Sequence, residues 1–179
     1  MKVRYSTVMK GVPAALFSAG FVAAPGHAAG IDLSITIPTL RVAEYHRPYV
    51  AIWVEAKGKP DVRNLAIWYD YDQQKNEGTK WLRDVRQWWR KTGRTLTFPA
   101  DGITGATRAP GVHKVSFTSG KSPLGTLPPG SYELVVEAAR EVGGREILRL
   151  PFQWPAKTPQ TVRAAGSTEL GAVSATVKP

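Results

Sequence analysis

From Ile31 the chain alternates, with Ile31, Leu33, Ile35 and Ile37 on one face and Asp32, Ser34 and Thr36 on the other. That is the period of a half-buried β-strand. The same reading predicts strands over residues 48–56, 62–71, 94–99, 112–118, 131–142 and 145–154, seven in all. Turn formers separate most of them: Lys57-Gly58-Lys59-Pro60, Pro128-Pro129-Gly130 and Gly143-Gly144. The last pair, between two long alternating runs, predicts a two-residue hairpin. The tail after Pro155 is polar, and residues 168–177 predict a final, weaker strand.

One segment breaks the pattern. Over residues 81–91, Trp81, Leu82, Val85, Trp88 and Trp89 fall on a single helical face, while Arg83, Arg86 and Arg90 point largely away. Thr79 or Asn76 is placed to cap this helix and Gly93 to end it. The spacing favours core packing for the Trp stripe over stacking on a cofactor. Many short strands with one helix predict a mainly β protein, an immunoglobulin-like two-sheet β-sandwich with one short amphipathic helix. A jelly roll or small barrel fits the same pattern.

The first thirty residues do not belong to this scheme. Lys2, Arg4 and Lys10 precede an apolar stretch that leads to small residues at Gly26 and Ala28, the order of a secretory signal peptide. The uncharged stretch is shorter than the roughly 20 apolar residues of a membrane span and is broken by Pro13 and Pro25. Residues 1–28 are therefore expected to be removed, leaving Ala29 at the start of a single exported domain, 29–179. Of the formal charge of +10, the mature chain keeps 21 basic and 14 acidic side chains, or +7. That balance suits an acidic protein, a phosphate group or an anionic surface better than nucleic acid. No cysteine is present, which excludes thiolate zinc sites, iron–sulfur clusters, thioether-linked haem and cysteine nucleophiles. With only His46 and His113 in the mature chain, no multi-histidine metal site is expected, and no catalytic set of nucleophile, base and acid can be assembled. Asp70 and Asp72, flanking Tyr71, have the look of solvated acids at a strand end.

The Gly- and Pro-rich residues 99–111 predict an exposed loop. Within it Asp101-Gly102-Ile103-Thr104-Gly105-Ala106-Thr107 resembles the acceptor motif on which ApbE-type flavin transferases place FMN. The resemblance implies that FMN is joined through its phosphate to the hydroxyl of the final residue, Thr107. Local chemistry is compatible: Gly102 and Gly105 keep the chain pliable, Ala106 leaves the approach to Thr107 uncrowded, Asp101 can shape an Asx-turn, and Arg108 can offset a phosphodiester charge. The bland alternative is that Asp-Gly and Thr-Gly only build a turn.

A second resemblance spans about residues 31–177. The order of Tyr49-Val50-Ala51-Ile52-Trp53-Val54-Glu55, Trp81-Leu82-Arg83-Asp84 with Trp88-Trp89, the acceptor loop, Gly130-Ser131-Tyr132-Glu133-Leu134 and Glu137-Ala138-Ala139-Arg140-Glu141 is similar to a family of predicted periplasmic proteins of formally unknown function. Together the two resemblances imply a periplasmic electron-transfer protein with covalent FMN. Such a protein is modified by an ApbE-type transferase, exchanges electrons with a membrane or periplasmic redox partner, and is not itself an enzyme. The competing expectation is a non-redox periplasmic binding module for a protein or anionic ligand.

Overall fold

A computed structural model describes residues 28–72 and 74–179. Among these residues nine strands run in chain order: β1 (Gly30–Ile37), β2 (Tyr49–Ala56), β3 (Val62–Trp68), β4 (Thr104–Gly105), β5 (Gly111–Thr118), β6 (Gly130–Ala139), β7 (Arg145–Trp154), β8 (Gln160–Ala165) and β9 (Ala172–Lys178). They form two sheets, ordered β5-β1-β9-β8 and β4-β3-β2-β6-β7. Every pairing is antiparallel except that of β3 with β4. The expected mainly β, two-sheet sandwich with one short helix is the architecture observed.

The alternation of β1 is realised in full. Ile31, Leu33, Ile35 and Ile37 lie in the core between the sheets with Val50, Ile52 and Val54 of β2, Leu134 and Val136 of β6, and Val173, Ala175 and Val177 of β9. Each such aliphatic side chain contributes about 1.5–3 kcal/mol by leaving water. The opposite face of β2 is buried too. Tyr49, Ala51 and Trp53 join Ile67, Tyr69 and Val135 under Leu82, Val85 and Trp88 of the helical segment, which forms a third layer.

That segment is two pieces, a 3-10 helix over Gln74–Asp84 and α1 over Arg86–Lys91. Thr79 does not cap α1, because its hydroxyl donates to the Asn76 carbonyl at 2.7 Å inside the 3-10 turn. The cap comes instead from β6. Glu137, fully buried, accepts from the backbone N–H of Gln87 at 3.0 Å and of Trp88 at 2.8 Å, and it pairs with Arg145 at 3.1 Å. Gly93 does follow the helix as expected. A Cβ there would fall within 2.7 Å of the Trp88 ring, so no other residue lets the chain turn back so tightly.

Three expectations are corrected. Residues 94–99 are not a strand: Gly93–Thr95 is a 3-10 turn, and Leu96 and Phe98 pack into the core beneath the helix, Phe98 stacked on Trp89 at 6.4 Å. Their alternation serves packing rather than a ladder. The β6–β7 hairpin turns through five residues, Arg140 to Gly144, with Val142 at φ 50° and 82% exposed. In the tail the expected final strand is found as β9, beside β1 with Val173, Ala175 and Val177 buried, but a further strand, β8, pairs with it where none was expected. The leader expectation falls on residues outside those described, apart from Ala28. Ala29 already belongs to the fold, its carbonyl accepting from Ser119 N at 2.8 Å.

Candidate functional site

The acceptor-like loop is held at both ends of a tight turn. Gly102 takes φ +72°, the left-handed region open to glycine, and the Thr104 hydroxyl accepts from Ala100 N at 2.9 Å while Thr104 N donates to the Ala100 carbonyl at 3.1 Å. The Asx-turn expected of Asp101 is not formed, and the Thr104 hydroxyl braces the turn instead. Asp101 is exposed and makes no side-chain hydrogen bond among the described residues. After the turn, Thr104 and Gly105 form β4 against β3, with Ile67 N donating to the Ile103 carbonyl at 2.8 Å and Tyr69 N to the Gly105 carbonyl at 2.9 Å. A side chain at Gly105 would press on Trp68, 3.1 Å from its ring.

The parallel register pairs Ile67 with Thr104 and Trp68 with Gly105. Continued two residues further, it sets Thr107 beside Asp70. The Thr107 hydroxyl donates to Asp70 Oδ1 at 2.9 Å. Thr107 is only 8% exposed, so the expectation of an open, uncrowded hydroxyl is corrected. Ala106 is exposed, as foreseen. The exposed Arg108 has its guanidinium 5.2 Å over the Trp68 ring, a cation–π contact.

Thr107 and Asp70 line a cavity of about 330 Å³ together with Tyr45, Arg47, Tyr49 and Trp81. His46 and Glu141 also border it, the His46 ring lying between Glu44 at 2.9 Å and Glu141 at 3.5 Å. The Tyr45 hydroxyl is buried without a hydrogen-bond partner among the described residues. Burial raises its pKa, with Arg140 and Arg47 pulling in the other direction. Tyr49 is pushed up further, by burial first and then by the negative charge of Asp70. The cavity thus offers one hydroxyl engaged with a carboxylate, a cation and an indole.

Trp81 departs from the stripe to which the sequence assigned it. Leu82, Val85 and Trp88 are fully buried, whereas Trp81 is 45% exposed. Asp70 is the residue that sequence reasoning set aside; Asp72, its expected companion, is exposed. No group of three or more side chains suited to a metal ion occurs among the described residues.

Comparison with family models returns a match over residues 30–172 to a family described as predicted periplasmic protein (DUF2271). The chain belongs to this family. Membership in DUF2271, described as predicted periplasmic, places the protein outside the cytoplasm, in agreement with the localisation expected from the sequence. The DUF2271 match runs from the first residue of β1 to the first of β9 and so contains the whole cavity. No curated protein and no solved structure matches the chain.

Proposed function

We propose that this DUF2271 protein is a periplasmic electron carrier with FMN attached covalently to Thr107 by an ApbE-type flavin transferase. One observation supports this reading above the others. Of the two hydroxyls in the acceptor-like loop, that of Thr104 is spent on the turn, and that of Thr107 faces a cavity.

The residues present fit such a group. A volume of about 330 Å³ lies at the lower end of the roughly 300–1,000 Å³ of small-molecule sites, which suits a group that is tethered and only partly enclosed. Arg47 offers a positive charge on the same lining. FMN, when bound, supplies reversible electron storage. The chain's own part is to hold it where it cannot diffuse away, a sensible arrangement outside the cytoplasm.

Attachment forms the Thr107 Oγ1–phosphorus bond, releases the hydroxyl proton, and breaks the phosphoanhydride bond of a flavin dinucleotide, whose nucleotide half leaves. Thr107 then has no hydrogen to donate, so its bond to Asp70 is lost on modification. The ester must turn its phosphate away from that carboxylate, and Arg47 is the cation on the lining that can meet it.

The test is co-expression and export with an ApbE-type transferase, followed by denaturing electrophoresis. The expected result is a flavin-fluorescent band that Thr107→Ala abolishes while the variant stays folded. A dark wild-type chain, under conditions in which a known acceptor is labelled, overturns the proposal and favours the binding module.

A further inference from the structure

We infer that the flavin ring does not hang in solvent from Thr107 but seats in the cavity with its face against Trp81, making Trp81 a cofactor-positioning residue. The inference rests on the proposed tether and adds to it the place and orientation of the ring.

Trp81 begins an apolar stripe whose next members are all drawn inward: Leu82, Val85 and Trp88 have no exposed surface, and Trp89 packs partly against them. The indole of Trp81 is left 45% exposed, although the same helical segment had a core available to it. It lines the cavity that Thr107 lines. A large aromatic kept at a cavity rim is the surface on which a flat heteroaromatic ring stacks, and such offset stacking adds to simple burial.

Ala139, the last residue of β6, pairs with Tyr49 and is all that β6 offers on this lining. The carboxylates of Asp84 and Glu141 on the lining do not oppose an uncharged oxidised ring. An open cavity suffices because the tether keeps the ring at high effective concentration beside it.

Flavin emission is quenched when an indole lies against the ring, so folded and denatured protein report seating and tethering separately. The experiment compares wild type, Trp81→Leu and Trp81→Phe as full chains co-expressed with the transferase. Equal fluorescent bands after denaturing electrophoresis establish equal labelling. The expected result is folded wild-type protein several-fold dimmer than the same sample denatured, most of the emission restored in Trp81→Leu, and an intermediate value in Trp81→Phe. Labelled wild type that is as bright folded as denatured overturns the seat while leaving the tether standing. Quenching that survives Trp81→Leu overturns the role of Trp81. Absence of any band in wild type overturns the tether and the seat with it.

Discussion

Thr104 and Thr107 carry the same side chain three positions apart and are used in opposite ways. Thr104 accepts from Ala100 N and shapes the turn; Thr107 reaches across to Asp70 at the cavity. Thr104→Ala leaves a backbone N–H without its partner, and a cost of about 1 kcal/mol is expected in urea unfolding, with weaker labelling because the loop has lost its shape. Labelling undiminished and stability unchanged would show that the turn holds without it. The sequence singled out both threonines by their motif, but their division of work depends on the parallel pairing of β3 with β4, which no local pattern announces. Asp70 was illegible for the same reason. A strand-end acid reads as solvated until the register places a hydroxyl next to it. Arg108 lies over the face of Trp68, a contact the sequence pattern did not announce.

At the scale of an element, α1 has six residues, far fewer than an isolated helix needs, and it borrows its stability from the sheet. Leu82, Val85 and Trp88 bury one side of the segment, and Glu137 takes up two N–H groups at the start of α1. Glu137→Ala strands both donors, and a loss of roughly 2–4 kcal/mol is expected from denaturant midpoints, with reduced helical dichroism. Glu137→Gln keeps an acceptor and costs less. If the two substitutions proved equal and mild, the carboxylate would not be the cap. Period-3.6 reasoning placed Leu82, Val85 and Trp88 on the inward face, as observed, but wrongly put Trp81 with them. It missed the cap, which lies 50 residues from Gln87 on another element. Likewise β1, β2, β6 and β7 were legible because one or both of their faces are apolar. β8 was not, since Thr161, Arg163 and Ala165 are exposed on an edge strand and only Val162 and Ala164 mark its inner side.

Across the whole molecule, two carboxylates fasten one sheet to the other. Glu169, just before β9, meets Arg140 after β6 at 2.9 Å, and Glu146 of β7 accepts from the backbone N–H groups of Ser167, Thr168 and Leu170 in the turn between β8 and β9. Burial by itself would raise the pKa of Glu146, but those N–H groups outweigh it and hold it below the ordinary 4.5. A carboxylate depressed in the folded state stabilises fully above its unfolded value and loses that contribution as the pH falls through the folded one. Thermal midpoints are therefore expected to drop as the pH is taken below 4.5. Glu146→Gln, weaker at neutrality, should lose less over the same interval; a parallel loss would assign the acid sensitivity elsewhere. The position of β1 between β5 and β9 has a consequence for the order of assembly. A chain made from its N-terminus has β1 in hand first, yet both edges of that strand stay open until residues 111–118 and then 172–178 exist. The sheet bearing Thr104 and Gly105 draws only on residues 49–154 and needs neither terminus. The cavity beside Thr107 draws only on residues 45–141, whereas the sandwich shuts with the seven residues of β9.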